Sequence, residues 1–433
     1  MKSTLSTIAA FVIVAYCPLI RDRQPGTGRP LIPSKNTMNQ SDINSRLGLH
    51  PVINVAGTMT YLGSSIVVPE AVEAISAMLP HFVDMSALHR RASETIARAC
   101  GAEAGFVTAS CAAGISLSVA AAMTGDNLAA IERLPDTSLL KNRVVIQAGH
   151  MVHYGAPLEQ AIRLSGAVVV PVGQATQCLR HQLEASLGNT TAAAVYVVSH
   201  HTVQFGQLPL DEFVAVCHAQ GVPVIVDAAS EYDLRRFIAT GADVVLYSAH
   251  KFLGGPTAGI VAGKSQLVRS IRLQNRGIGR GMKVGKESIV GTIAALDAWE
   301  KRDHAAVRAR ENRILGLWHR AFAQCAGVQA AIVPDPTSNP LDRLKLIIDP
   351  SLARITAWDL ADLLAAGNPS LVVRDHEVEH GFFLLDPCNL HDGQEQTVVE
   401  LISAALEAAR LSPEPIITGL DTRRANRARA VLA

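Results

Sequence analysis

Tyr247-Ser248-Ala249-His250-Lys251-Phe252-Leu253-Gly254-Gly255-Pro256 decides how this chain is read. The run Val244–Ser248 that leads into it has the continuous apolar, β-branched character of a strand buried on both faces, and the Gly-Gly-Pro that follows marks a turn. Lys251 therefore falls at the carboxyl end of a strand, the edge where open α/β sheets hold their ligands. An amine at that place can form an imine with an aldehyde cofactor, and can then act as the base that moves a substrate Cα proton. On its own, a lysine after a strand is equally well a surface residue.

A second stretch changes the balance. Val224-Ile225-Val226-Asp227-Ala228-Ala229 reads as a buried strand ending in a carboxylate. Pyridoxal 5′-phosphate (PLP) needs an anion beside its pyridine nitrogen, so that the nitrogen stays protonated and the ring can take up the electrons left by Cα deprotonation. Asp227 precedes Lys251 by 24 residues, room for a helix and one further strand, which sets the two at neighbouring strand ends. A lone Asp there would read as a helix N-cap; paired with Lys251 it reads as a cofactor ligand.

Other candidates cluster at strand ends. Ser110-Cys111-Ala112-Ala113 opens the apolar helix Ile115–Met123, and a helix N-terminus offers free N–H groups and a positive dipole end to a phosphate. Gly149-His150-Met151-Val152-His153-Tyr154 follows the strand Arg143–Gln147, and His150, His153 or Tyr154 could stack on a pyridine ring. Ser199-His200-His201-Thr202 ends another strand and could reach the cofactor's phenolic oxygen or the substrate. The basic, Gly-rich run Arg276–Glu287, with Arg280 and Lys283, suits an anionic substrate group or the phosphate of a neighbouring subunit's PLP. Arg374, after a later strand, can fork onto a substrate carboxylate.

The rest of the chain fits this frame. Candidate strands at Arg143–Gln147, Ala167–Val172, Ala193–Ser199, Pro223–Asp227, Val244–Ser248 and Gly259–Ala262 alternate with helical patterns such as Gln182–Leu187 and Leu210–Gln220. Such alternation argues for a mostly parallel sheet with helices on both faces. Glu287–Arg310 reads as one long helix leading from a large domain, 46–304, into a smaller one, 305–411. In the smaller one, Arg343–Ile348, Leu371–Val373 and Phe382–Leu385 read as strands, and Ala357–Leu364 and Gln394–Ala409 as helices. The tail 412–433, with two prolines and several arginines, reads as loosely held.

Composition narrows the class. The 433 residues are 48% hydrophobic and 18% charged, enough for a substantial core, and the formal net charge of +1 gives no reason to expect a nucleic-acid partner. The seven cysteines are scattered without a C-x-x-C pair, so neither a disulfide framework nor a metal site is expected, and a reducing, cytoplasmic setting is. Ile8–Ile20 is apolar but too short to span a membrane comfortably; residues 1–45 read as an N-terminal extension that is signal-like or lies ahead of a true start at Met38.

With these residues in view, the chain resembles the fold-type-I PLP enzymes, those of aspartate-aminotransferase-like fold. Val52-Ile53-Asn54-Val55-Ala56-Gly57-Thr58, Phe82-Val83-Asp84-Met85, Gly101-Ala102-Glu103-Ala104 and above all Gly279-Arg280-Gly281-Met282-Lys283-Val284-Gly285-Lys286-Glu287 resemble the selenocysteine-synthase-like group, and within it the D-glucosaminate-6-phosphate ammonia-lyase type. The resemblance runs from about Pro51 to Leu411. It implies an α/β fold with a mostly parallel seven-stranded sheet plus a small C-terminal α/β domain, and a homodimer or larger assembly with active sites at the interface. Lys251 would hold PLP, Asp227 would face the pyridinium, Ser110 to Ala113 would cradle phosphate, and Ser248 would border the cofactor. Two departures bear on the substrate: Ser110-Cys111 where such enzymes often carry a Gly or Ala run, and the His200-His201 doublet.

The leading reading is a lyase acting on a 3-hydroxy or sugar-derived amino acid, in which Lys251 removes the Cα proton, the β-hydroxyl leaves, and a 2-oxo acid and ammonia result. Lys251 or a histidine such as His250, His200 or His201 would supply acid to the leaving hydroxide. Thr58, Arg280, Lys283 and Arg374 are the candidates for binding substrate. A racemase or epimerase shares the first step and needs a second acid on the opposite ring face. Selenium transfer on seryl-tRNA is disfavoured by the short segment ahead of the first motif and the near-neutral charge. A cysteine desulfurase would need Cys388 on a mobile loop, and a non-catalytic PLP-binding protein is disfavoured by the presence of both Lys251 and Asp227.

Overall fold

A computed structural model describes residues 40–432, so the N-terminal apolar stretch and the Met38 start lie outside the described residues. Residues 40–50 belong to one unit, in which Gln40–Leu47 is helical; Pro51 onward forms a second, described next.

Its strands, in chain order, are β1 (Val52–Val55), β2 (Ala104–Thr108), β3 (Arg143–Gln147), β4 (Val168–Val172), β5 (Thr191–Val197), β6 (Val224–Asp227), β7 (Val244–Ser248), β8 (Gly259–Gly263), β9 (Val328–Pro334), β10 (Asp342–Ile348), β11 (Ser370–Val373) and β12 (Phe382–Leu385). Seven of them form the main sheet in the order β2-β8-β7-β6-β5-β3-β4. Strands β7, β6, β5, β3 and β4 pair in parallel, and β8 runs antiparallel to both its neighbours. The carboxyl ends of β2, β3, β5, β6 and β7 therefore share one edge. That edge carries Ser110, His150, His200, Asp227 and Lys251 within a few residues of the last paired position.

The reason is visible in the side-chain alternation. Val144, Ile146, Ile225, Val244 and Leu246 enter one core, under the helices Cys111–Thr124, Leu158–Arg163 and Ser265–Leu273. Val145, Val224, Val226, Val245 and Tyr247 enter the other, under Met85–Cys100 and Leu210–Ala219. With both faces covered, both sets are apolar, and the runs read as continuous in sequence. The helix Cys111–Thr124 is buried on nearly every side for the same reason.

A third core lies around the three-stranded antiparallel sheet β12-β10-β9 and the parallel pair β1–β11. The pairing of Val52–Val55 with Ser370–Val373 places Ile53 and Val55 in this C-terminal core. Strand β1 thus pairs with the far end of the sequence.

Two expectations are corrected. The stretch 287–310 is two helices, Lys286–Lys301 and His304–Phe322. Asp303 ends the continuity: its carboxylate caps the second helix, accepting from Ala306 N–H at 2.9 Å, while Arg302 stays extended. Composition alone, rich in Ala and charge, carries no sign of this break. The tail is anchored as well. Ile416 bridges to Ile355, Leu420–Leu432 is helical, and buried Arg423 grips Asp362 (2.8 Å) and Asp375 (2.9 Å).

Candidate active site

Lys251 sits in the turn after β7, and the turn is held from three sides. Gly254 N–H donates to the Lys251 carbonyl at 3.0 Å, with Gly254 at φ +66, where a side chain would strain the backbone and press on Val68. The Ser65 hydroxyl lies 2.6 Å from the His250 carbonyl and 2.7 Å from that of Lys251. Arg302, freed by the helix break, donates to the carbonyls of Phe252 (3.0 Å) and Leu253 (3.3 Å). The Lys251 amine donates to Ser230 Oγ, and burial holds its pKa below the ordinary lysine value. More of the amine is therefore neutral, the form that attacks an aldehyde.

Asp227, at the end of the adjacent strand β6, is buried and accepts from Ala229 N–H at 3.2 Å. Burial raises its pKa, and the charge of Lys251 works against that rise. A buried carboxylate with one weak donor is a place where a positive pyridinium is welcome.

The β2 end supplies the third side. Ser110 caps the helix Cys111–Thr124, its hydroxyl accepting from Ala113 N–H at 3.1 Å. Its carbonyl packs so close to Gly259 that a Cβ there would lie 2.4 Å from it, so the β8 edge must be glycine to admit the loop. Ser248 Oγ donates to Cys111 Sγ at 3.3 Å, tying β7 to this helix start. Burial, with the charge of Asp227, pushes the Cys111 thiol up to about 12. It is a protonated, buried neighbour of the site, not a nucleophile.

The histidines divide. His150 is buried; its Nδ1 accepts from Val197 N–H at 3.1 Å and its ring meets Tyr196 edge-on at 4.4 Å. His153 is exposed, and Gly155 N–H points at its Nδ1 at 3.4 Å. Burial, with the charge of Asp227, raises the Tyr154 phenol to about 12. His250 points a buried Nδ1 with no partner among the described residues. His200 and His201 pack ring to ring at 3.8 Å, and both are held below the ordinary histidine pKa, chiefly by burial.

Arg374, 7% exposed, reaches this edge from the C-terminal part. It donates to Ala56 O at 3.4 Å and its charge acts on His200, His201 and Lys251. Thr58 and Lys251 line one cavity of about 410 Å³, together with Tyr232, Arg308, Glu311 and Asn389. Arg280 and Lys283 do not meet Lys251 within one chain. They line a separate basic groove of about 870 Å³ with His89, Arg272 and Arg276. Lys286 is occupied in bonding the carbonyls of Leu79 and His81. Cys388 is no mobile-loop nucleophile: its N–H donates to Asp386 at 3.0 Å, and burial raises its thiol far above the ordinary value.

Several residues at this edge were not singled out in sequence: Ser65, Ser230, Glu231, Arg302 and His376. Ser230 and Glu231 lie just past Asp227, and Ser65 and His376 lie in the loops that begin at Thr58 and Arg374, so nearness to a candidate was the available signal. Arg302 had none, because it arrives by tertiary packing.

A sheet edge with an imine-competent lysine beside a buried aspartate and a capped helix start defines a fold-type-I PLP enzyme. A solved structure of SPT with PLP shares this fold at TM-score 0.54 and 15% identity, over 83% of this chain and 88% of that one. The model of the family "SelA: L-seryl-tRNA selenium transferase" matches residues 52–326, and the chain belongs to that family. It is 37% identical to the D-glucosaminate-6-phosphate ammonia lyase of Salmonella typhimurium, over 85% of this chain and 99% of the relative. It is also 37% identical to a 5'-C-glycyluridine monooxygenase-decarboxylase of Streptomyces sp, over 83% and 91%. A solved D-glucosaminate-6-phosphate ammonia-lyase superposes with TM-score 0.77, covering 85% of this chain and 99% of that one. Among the described residues, no helix is long and apolar enough to cross a membrane.

Proposed function

We propose that the chain is a PLP-dependent ammonia-lyase for an amino acid with a β-hydroxyl, a sugar-derived amino acid being the favoured class. The observation that carries this reading is the placement of Lys251 and Asp227 at the ends of adjacent strands, each altering the other's protonation. The 37% identity to an ammonia lyase supports the reaction class. PLP, when bound, supplies an aldehyde for imine formation and a ring that accepts the electrons left at Cα.

Lys251 would hold the cofactor and take the substrate Cα proton at Nζ. Asp227 would keep a proton on the pyridine nitrogen. The helix start Ser110 to Ala113 would hold the phosphate, and Ser248 and His150 or Tyr154 would confine the ring. Arg374 binds the substrate carboxylate and Thr58 borders the substrate. Loss of the Cα proton and of the β-hydroxyl, followed by hydrolysis, gives a 2-oxo acid and ammonium. Two chains assemble with the basic groove of Arg280 and Lys283 turned toward the partner's phosphate.

Equal identity to a monooxygenase-decarboxylase supports a second reading, oxidative loss of the carboxylate. The test is the visible spectrum of the PLP-loaded protein with D- and L-3-hydroxy amino acids and sugar amino acids, with 2-oxo acid, ammonia and oxygen uptake measured together. A substrate-dependent spectral change with release of 2-oxo acid and ammonia is expected. Oxygen uptake with CO2 release would select the second reading. Solvent deuterium at Cα without 2-oxo acid would select an epimerase. An absorbance unaltered by Lys251→Ala would overturn the cofactor assignment.

A further inference from the structure

The strand β5 ends in Ser199-His200-His201, and the loop after β11 continues Arg374-Asp375-His376. These two segments, 175 residues apart in sequence, bring three imidazoles together. The rings of His200 and His201 lie 3.8 Å apart, His201 and His376 5.2 Å, and His200 and His376 5.6 Å. One ring nitrogen from each lies within 4.8 Å of the other two.

Among the described residues, no hydrogen bond to a ring nitrogen accounts for the cluster. His200 Nε2 is buried without a hydrogen-bond partner among the described residues. Burial, with the charge of Arg374, holds all three below the ordinary histidine pKa. Three imidazoles converging from two segments, with one nitrogen of each within 4.8 Å of the others, are a ligand set for a divalent transition metal. A trio leaves coordination positions open, as sites that take a water or a substrate oxygen do.

The charges nearby are mixed. Arg374 and Lys251 work against a cation; Asp375 favours one at His376, and Asp386 and Asp335 offset Arg374. Zinc, cobalt and nickel, which accept nitrogen donors strongly, fit; magnesium and calcium, which need oxygen cages, do not.

We propose that His200, His201 and His376 bind one divalent transition-metal ion, joining the end of β5 to the loop after β11 beside Lys251. The open positions take an oxygen of whatever occupies the Lys251 pocket, whether carboxylate or hydroxyl. The metal site stands apart from the lyase reading and is tested without turnover.

Untagged, PLP-loaded protein is titrated with cobalt(II) chloride and separately with zinc sulfate, following cobalt d–d absorption and metal retained after dialysis. One ion per chain is expected, with d–d intensity too high for six oxygen ligands. His201→Ala and His376→Ala, both exposed and so safe for folding, each lower affinity at least about tenfold. His181→Ala, an exposed histidine elsewhere, leaves it unchanged. Retained PLP absorbance and unaltered melting establish that each variant is folded. Substoichiometric retention in the parent protein, or retention in both variants equal to the parent's, overturns the site.

Discussion

The amine of Lys251 donates to the hydroxyl of Ser230, three residues past Asp227, so the β6 loop aims the lysine as well as the carboxylate. Asn339 holds that loop, accepting from Tyr232 N–H at 2.8 Å and donating to the Ser230 carbonyl at 3.4 Å. On the proposed reading, removing the lysine removes the base and the cofactor link, whereas removing the hydroxyl only loosens the amine. Lys251→Ala is expected to abolish the cofactor band and lower turnover by roughly 10²–10⁴-fold or more. Ser230→Ala is expected to keep the band and lower turnover about tenfold, the loss of one hydrogen bond to the amine. Equal effects from the two variants would mean Ser230 does more than orient the amine.

How far this was legible in sequence follows from chain locality. Six of the seven strands of the main sheet were readable as apolar runs, and Arg143–Gln147 and Val244–Ser248 fall where the pattern put them; β2, Ala104–Thr108, was not marked. The adjacency of Lys251 and Asp227 was readable because one crossover separates them. Strand β1 was not, because its partner β11 lies more than three hundred residues away. Nor was the Arg302–Asp303 break, where a single cap outweighs a long helical composition. His376 and Ser65 reach the edge only after the C-terminal and N-terminal segments pack on it. The tail read as loose because its anchors, Asp362 and Asp375, stand far upstream.

Arg343 makes the central ion pairs of the C-terminal part. It is buried and bonds Asp335 at 2.6 Å and Asp386 at 2.8 Å. Burial works to raise both carboxyls, but Arg343 outweighs it and both stay below the ordinary aspartate value of 3.8. Arg343→Met leaves two buried carboxylates facing each other and is expected to cost about 3–5 kcal/mol in chemical denaturation at neutral pH. Groups with lowered pKa stabilise the fold above their unfolded value and lose that contribution as pH falls. The deficit of the variant is therefore expected to shrink below about pH 4. A deficit that is flat with pH would show that packing, not charge, is what Arg343 contributes.

Glu231 behaves oppositely. It is buried, accepts from Thr337 Oγ1 at 3.0 Å, and burial pushes its carboxyl from 4.5 up to about 8. A raised folded pKa means the stabilisation is complete below the unfolded value and is lost as pH rises through the folded one. Melting temperature is therefore expected to fall between pH 4.5 and about 8 through this residue. Glu231→Gln keeps a hydrogen-bond acceptor and never ionises, so it is expected to flatten that slope. At neutral pH it should add roughly 1–3 kcal/mol. A slope as steep in Glu231→Gln as in the parent protein would assign the pH dependence to other groups.

The C-terminal helix controls the loop that carries Arg374 and His376. Arg423 bonds Asp375, the residue between them, at 2.9 Å and Asp362 at 2.8 Å, and Arg427 adds contacts to the same two carboxylates. Arg423 is 7% exposed, so its removal leaves Asp375 and Asp362 only the contacts of Arg427, which is at the surface. Arg423→Ala is expected to destabilise by about 1–3 kcal/mol, less than a fully buried pair because Asp362 is partly solvated. Arg427→Ala is expected to cost about 0–1 kcal/mol and to be masked by salt. Because the loop positions Arg374, the same Arg423→Ala variant should raise KM for an amino-acid substrate about two- to tenfold while moving kcat less, the pattern for lost substrate positioning without lost chemistry. If denaturation shows the stability loss but KM is unmoved, the tail helix braces the fold without reaching the substrate. If kcat falls instead with KM constant, Arg374 acts on the chemical step and not on carboxylate binding.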